Sequence, residues 1–261
     1  MKNTTLKKAA AECFGTLILV FFACGVAAWS TAYGAVFAAV AVAITFGLVL
    51  WGLIYFIGPI SGCHVNPAVS FAAVLNKRIT WKEFGIYVLA QFIGAIVGAA
   101  ILYGIIKLGG LGPTSLGANS YGATADVGAI FMGLIVEIIL TFVFVVVILV
   151  ATSKKHSAGK KAGCVIAAAL VLVHLFGLGF TGTSVNPARS FGPALMLLFE
   201  NTIALEQVWV FLVAPMIGGL LAAIVAKKLL KTEEEPAQEV SVEGTVKIAA
   251  PKTSKTVKDE E

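Results

Sequence analysis

The stretch that decides the fold occurs twice, as GCHVNPAVSF at residues 62–71 and as GTSVNPARSF at residues 182–191. Asn is a favoured helix N-cap, and Pro is favoured at the first helical position. Each Asn-Pro-Ala triplet therefore predicts the start of a helix, with its unpaired N–H groups and its positive dipole end at that point. The two triplets are Asn66, Pro67, Ala68 and Asn186, Pro187, Ala188.

The composition around these triplets is that of an integral membrane protein. Of the 261 residues, 59% are hydrophobic and 13% are charged, whereas soluble domains are typically about 45–50% apolar and about 25% charged. A helix needs about 20 apolar residues to cross the hydrocarbon. Six stretches are long enough, at roughly residues 6–29, 35–58, 82–107, 128–152, 161–180 and 206–230.

The stretches that follow the triplets are too short to cross. They cover roughly residues 66–76 and 186–199, and at about 1.5 Å per residue they reach about half-way through the bilayer. Backbone that leaves a helix at membrane depth is tolerated only inside protein or beside a water-filled cavity. The sequence therefore predicts an all-α membrane protein with six transmembrane helices, two re-entrant half-helices and a cavity between them.

Lysine and arginine placement predicts the orientation. Basic residues cluster at 2–8, 77–82, 154–161 and 227–231, and six crossings put all four clusters on one side. Because basic loops stay in the cytoplasm, both termini are predicted to be cytoplasmic and the connection 109–127 to be outside. The two half-helices then enter from opposite faces, and their N-termini meet near the midplane.

The two halves of the chain repeat. Matching segments are offset by 125, 120 and 124 residues, so repeats at about 6–107 and 128–230 form one channel domain, 1–231. Three spans in each half force opposite orientations, which is the inverted-repeat architecture with its functional centre between the repeats. The remaining residues, 232–261, hold eight acids and four lysines; we expect a disordered cytoplasmic tail.

The two triplets in matched positions, the six spans, and Glu12 and Glu137 in the first span of each repeat resemble the aquaporin family over about residues 6–230. Within that family the chain resembles the bacterial, water-selective aquaporin Z type. The resemblance implies an aquaporin-like fold and a passive water channel that excludes protons and ions. It also implies a homotetramer in the lipid bilayer of the cell (plasma or inner) membrane, without a cofactor.

The asparagines are predicted to form the pore midpoint. Each side-chain amide carries two N–H donors that can orient the oxygen of a passing water molecule. The dipoles of the two half-helices place positive potential at the same point. Together these features interrupt a proton wire and repel cations. The alternative for Asn66 and Asn186 is helix capping alone.

A second filter is predicted around Arg189, because a buried arginine in a membrane span is functional by default. The alternative is an ion pair with a core glutamate. The aquaporin resemblance implies a narrow outer constriction formed by four side chains. It also implies that His174, Thr183 and Ser190 favour water over glycerol. The four are Phe46, His174, Thr183 and Arg189.

Four further residues are predicted in or near the two pore loops, the segments 62–65 and 182–185 that precede the triplets. Glu12 and Glu137 are expected to accept hydrogen bonds from loop backbone, the alternative being that they carry ions or protons. His64 is expected to brace the first loop. Cys63 matches Thr183 in the repeat, so we expect its sulfur or its backbone to face the inner pore, the alternative being a thiol packed against protein.

The residues in the spans also bear on three other functional classes. A facilitator of glycerol, ammonia or a gas is the alternative channel. A secondary transporter would need coupling-ion sites, yet apart from the two glutamates the spans hold almost no ionisable residues. An enzyme would need a nucleophile–base pair or a metal cluster, and the four cysteines lack metal-type spacing. We therefore expect no enzymatic activity, no metal, no cofactor and no nucleic-acid partner.

Overall fold

A computed structural model describes residues 2–110, 115–122 and 126–228. Within these ranges all of the regular secondary structure is helical. The predicted tail, 232–261, lies outside the described residues. The helices are α1 (Lys2–Leu19), a π turn (Val20–Cys24), α2 (Gly25–Ser30), α3 (Ala35–Ser61), α4 (Pro67–Leu75), α5 (Trp81–Leu108), α6 (Val127–Ala151), α7 (Ala162–Thr181), α8 (Pro187–Leu197) and α9 (Ile203–Lys228).

Six membrane spans and two half-helices account for these elements. The first span, Thr4–Ser30, joins α1, the π turn and α2, and the other five are α3, α5, α6, α7 (extended to Gly159–Thr181) and α9. The half-helices α4 and α8 each begin at the proline of a triplet. The predicted all-α fold is confirmed, with helix ends within a few residues of those read from the sequence.

The first span contains a π turn that the sequence did not predict. An uninterrupted helix was expected over 6–29, but Val20–Cys24 adopts π geometry. A π turn inserts an extra residue into the helix and often lies near a functional site. Here a methyl group built on Gly117 would come within 2.8 Å of the Cys24 carbonyl oxygen. The π turn therefore lies directly against the connection that precedes α6.

The half-helices are packed across the boundary between the two repeats. Helix α4, from the first repeat, lies against α9 from the second, and α8 from the second repeat lies against α5 from the first. Small residues permit the close approach: a methyl group on Gly219 would lie 2.8 Å from the Ala68 carbonyl oxygen, and one on Gly192 would collide with Ala95. Each repeat thus completes the packing of the other's half-helix.

Candidate functional site

A narrow passage between two wider cavities lies at the meeting point of the half-helices. One cavity of about 280 Å³, the Cys63-side cavity, is lined by Cys63, His64 and Arg78 among others. The other, the Arg189-side cavity, measures about 310 Å³ and is lined by Gly117 and Arg189 among others. The passage between them, here called the waist, has a cavity volume of about 20 Å³. Since one water needs about 10–15 Å³, the waist has room for about one water molecule.

The waist has a polar side and an apolar side. Its polar groups come from the two pore loops and from His174, and its apolar wall comes from the spans. The waist-lining residues are Leu19, Phe46, Leu50, His64, Val65, Asn66, Phe144, Leu170, His174, Ser184, Val185, Asn186 and Arg189.

The two triplet asparagines join the repeats at the centre of the waist. Asn66 Oδ1 accepts from the Ala68 N–H at 2.8 Å, and its Nδ2 donates to the Val185 carbonyl at 2.7 Å. Asn186 Oδ1 accepts from the Ala188 N–H at 3.1 Å, and its Nδ2 donates to the Val65 carbonyl at 2.8 Å. Each asparagine therefore caps its own half-helix and bonds the opposite loop. These bonds use one of the two N–H groups of each amide.

Both pore loops have a backbone that ordinary residues rarely adopt. Cys63 and Val65 have φ of +52° and +44°, and Thr183 and Val185 have φ of +48° and +47°. Positive φ is especially unfavourable for a β-branched valine, and such residues persist only where their surroundings hold them. The loops are therefore held by specific contacts from outside the loop.

Glu12 supplies those contacts in the first repeat. Its Oε1 accepts from the Ser61 hydroxyl at 2.6 Å and the His64 N–H at 2.9 Å. Its Oε2 accepts from the Val65 N–H at 2.6 Å and Gln91 Nε2 at 2.8 Å. The carboxylate is fully buried, and four donors satisfy it. Successive N–H groups that converge on one anion are a known backbone nest.

Glu137 has the matching position in the second repeat. Its Oε1 accepts from the Thr181 hydroxyl at 2.7 Å and the Ser184 N–H at 2.9 Å, and its Oε2 accepts from the Val185 N–H at 2.8 Å. The fourth donor is missing because the counterpart of Gln91 is Pro215. The two glutamates therefore occupy matching positions, each bonded to the backbone of one pore loop.

Three of the four predicted outer-filter side chains come together at the Arg189 end of the waist. The rings of Phe46 and His174 stack with centroids 4.1 Å apart, and the Arg189 guanidinium lies 4.9 Å from the Phe46 centroid. Arg189 is 2% exposed, and its Nη1 donates to the Gly117 carbonyl at 2.7 Å. Arg189 takes no part in the ion pairs Lys8–Glu83 and Lys107–Glu200; it is bonded to a carbonyl rather than to a glutamate.

Two polar atoms of the side chains that line this end of the waist have no hydrogen-bond partner among the described residues. His174 Nδ1 bonds the Leu170 carbonyl at 2.9 Å, while its Nε2 has no hydrogen-bond partner among the described residues. The same holds for Arg189 Nε. A buried polar atom without a partner is costly unless a passing molecule satisfies it.

Thr183 differs from its three companions. Its side chain is absent from the residues that line the waist and both flanking cavities. Instead it faces α7, where a methyl group on Gly177 would lie 2.5 Å from Thr183 Oγ1. Its φ of +48° is close to the +52° of Cys63, so the packing against α7, and not the backbone angle alone, distinguishes Thr183. The structure thus places Thr183 beside the constriction rather than on its wall.

His64 and Cys63 lie at the opposite end of the waist. His64 lines both the waist and the Cys63-side cavity. Its Nδ1 is 3.0 Å from the Ser70 hydroxyl, and its ring packs on Tyr87. Cys63 lines the Cys63-side cavity although it is only 7% exposed. All four cysteines are free thiols in the described part of the chain.

Two buried amides near the pore loops were missed from the sequence. Gln91 donates to Glu12 and, at 3.0 Å, to Ser70. Asn119 accepts from the Ser190 hydroxyl at 2.7 Å. Gln91 could have been found as a polar residue within an apolar span. Asn119 carries no such signal, because it lies in a polar connection.

Comparison with known proteins agrees with this arrangement. The major intrinsic protein family matches residues 1–226. A protein named Aquaporin Z from Brucella melitensis is 43% identical over 86% of this chain and 98% of its own length. Another of that name, from Photorhabdus laumondii, is 37% identical over 88% of this chain and 100% of its own.

A solved structure agrees at the level of the fold. The X-ray structure of the aquaglyceroporin from Plasmodium falciparum superposes with a TM-score of 0.76, at 23% identity, over 87% of this chain and 97% of that one. The family match and the similarity to the bacterial relatives cover both repeats and both triplets. The chain therefore belongs to the major intrinsic protein family, which confirms the predicted channel and excludes an enzyme.

Proposed function

We propose that the waist conducts water passively, down an osmotic gradient, while it excludes protons and ions. The observation that carries this proposal is the waist itself, about 20 Å³ between cavities of about 280 and 310 Å³. A passage of that size holds one water molecule at a time. Relatives named Aquaporin Z, at 37–43% identity, support water as the substrate.

At the pore midpoint, Asn66 and Asn186 orient each passing water. One amide N–H of each residue is held by the opposite loop, so the second N–H is free to donate to a water oxygen. A water that accepts from both amides must donate its own protons outward, which breaks the chain along which a proton would hop. The N-termini of α4 and α8 add positive potential that repels cations.

At the outer filter, Arg189, His174 and Phe46 set the size and polarity of the opening. Water leaving bulk solvent loses hydrogen bonds, and His174 Nε2 and Arg189 Nε replace them. The Phe46 ring is an apolar wall that binds water weakly, so that water enters without being trapped. Glycerol is larger and carries an apolar backbone, so passage of glycerol, the alternative function, is not favoured.

The proposal also covers the domain bounds, the orientation in the membrane and the assembly of the protein. Residues 1–231 form the channel domain, which crosses the cell membrane with both termini in the cytoplasm, so the Cys63-side cavity opens inward. The positive-inside pattern supports this orientation. The segment 232–261 is a cytoplasmic tail. Four copies assemble as a homotetramer with one pore in each protomer, as the aquaporin resemblance implies.

Osmotic swelling of proteoliposomes tests the proposal. Liposomes with the protein should equilibrate far faster than empty ones in a sucrose gradient, with a low activation energy and slow glycerol entry. Leu170 lines the waist, whereas Leu172 on the same helix is 62% exposed. Leu170→Trp should therefore block water flow, and the matched variant Leu172→Trp should retain it. Wild-type flow no faster than that of empty liposomes would refute the proposal.

A further inference from the structure

The segment 115–122 is bonded to both α7 and α8 by the buried side chain of Asn119. Asn119 is 2% exposed. Its Nδ2 donates to the Thr181 carbonyl at 3.1 Å, and its Oδ1 accepts from the Ser190 hydroxyl at 2.7 Å. Because Thr181 ends α7 and Ser190 lies in the first turn of α8, the amide joins this segment to both helices that border the second pore loop.

The same segment supplies the hydrogen-bond acceptor for Arg189. Gly117 precedes Asn119 by two residues, and its carbonyl oxygen is 2.7 Å from Arg189 Nη1. Gly117 has φ of +63°, and a methyl group there would lie 2.8 Å from the Cys24 carbonyl oxygen. The π turn therefore confines Gly117 on one side. Asn119 confines the segment on the other.

The first repeat has a comparable arrangement on a more rigid element. In each repeat the residue two before the triplet asparagine contacts the serine four after it: His64 with Ser70 at 3.0 Å, and Ser184 with Ser190 at 2.5 Å. A carboxamide then bonds that serine. In the first repeat it comes from a transmembrane helix, as Gln91. In the second it comes from the connecting segment.

We propose that Asn119 is a specificity-determining positioning residue, which fixes the Gly117 carbonyl and through it the Arg189 guanidinium. Asn119 does not line the waist or either flanking cavity, so it acts on a solute through Arg189. With the amide removed, segment 115–122 is tied less closely to α7 and α8. The guanidinium then loses its fixed acceptor, and the opening beside Phe46 and His174 widens. This inference rests on the proposed water-channel function.

The test compares glycerol with water permeability in proteoliposomes, expressed as a ratio for each variant. Asn119→Ala removes the bonds to both Thr181 and Ser190 and should raise the glycerol-to-water ratio by at least about fivefold, the factor that corresponds to one neutral hydrogen bond. Ser190→Ala removes the second of these bonds from the other side and should produce a similar rise, so it serves as the test if Asn119→Ala does not fold. The matched control is Ser120→Ala, because Ser120 Oγ donates to Gln207 rather than toward α8.

A double variant separates a shared bond from general loosening. If Asn119 and Ser190 act through their shared hydrogen bond, Asn119→Ala combined with Ser190→Ala should match Asn119→Ala alone instead of multiplying the two effects. Multiplied effects, an unchanged ratio in folded Asn119→Ala or Ser190→Ala, or an equal rise in Ser120→Ala would each overturn the inference. Failure of the wild type to conduct water would instead refute the proposed function, so the two failures are distinguishable.

Discussion

Replacement of either buried glutamate by glutamine is the most direct test of how the pore loops are held. Glu12 accepts four hydrogen bonds, two on each oxygen, and Glu137 accepts three. A glutamine amide has one acceptor oxygen, and its NH₂ group can only donate. Whichever way the amide turns in Glu12→Gln or Glu137→Gln, its NH₂ therefore faces at least one loop N–H.

The size of the effect follows from which donors can adapt. The hydroxyls of Ser61 and Thr181 can rotate and accept from the NH₂ group, but a backbone N–H cannot. One buried N–H thus loses a bond to a charged acceptor, which costs about 1.5–3 kcal/mol. For a chain of this size that corresponds to a fall in melting temperature of about 3–12 °C. Because Val65 and Val185 have positive φ, the loops cannot rearrange to replace the lost hydrogen bond.

The assay is thermal unfolding of purified protein in detergent, with yield of folded protein as a second readout. Glu206→Gln is the control, because Glu206 is exposed at the start of α9 and a surface change of this kind stays within about 0.5 kcal/mol. Wild-type melting of Glu12→Gln or Glu137→Gln, together with altered proton conductance, would refute the reasoning. The glutamate would then be a proton carrier rather than a support for the loop.

Three further predictions concern the two ends of the pore. A membrane-permeant mercurial should block water flow by modifying Cys63, and Cys63→Ser should abolish that block; equal inhibition of the variant would place the target elsewhere. Arg189→Ala should raise glycerol entry severalfold relative to water in swelling assays, since it removes the guanidinium beside the waist, and an unchanged ratio would remove Arg189 from the filter. Hydrogen bonds from Lys107 and Tyr103 lower the pKa of Glu200 below its ordinary range, so its contribution to stability is present above about pH 4 and is lost as pH falls further. Between pH 6 and pH 3, a range of about three units that spans this titration, the melting temperature of the wild type should therefore fall more than that of Glu200→Gln. Equal falls in the two proteins would contradict a stabilising role for the Glu200 carboxylate.

Much of the fold could be predicted because the controlling signals are local. Asn before Pro marks a helix start wherever it occurs, so α4 and α8 were placed within two residues of their observed ends. Hydropathy placed the spans for the same reason. The π turn at Val20–Cys24 left no such mark, because an extra residue in a uniformly apolar run changes the backbone without changing the composition.

The finer details of the site depend on where the chain passes in three dimensions. Thr183 was predicted in the filter from the aquaporin resemblance, whereas its side chain lies against Gly177. The direction in which a side chain packs cannot be read from the residue type. Asn119 was part of a connection rich in Gly, Ser and Asn, where a buried residue looks like a solvated one. Its role emerges from contacts with Thr181 and Ser190 that are distant in the sequence.

The reciprocal bonds between Asn66 and Val185, and between Asn186 and Val65, have a consequence for biogenesis. During synthesis the first loop emerges about 120 residues before its partner. The bond from Asn66 to Val185 therefore cannot form until three further spans have been synthesised. Helix α4 likewise cannot pack against α9 until the last span has been synthesised. We therefore expect the pore to be assembled last, after all six spans are inserted. A ribosome stalled before α8 should hold a chain with five spans that is anchored in the membrane but has no passage through it.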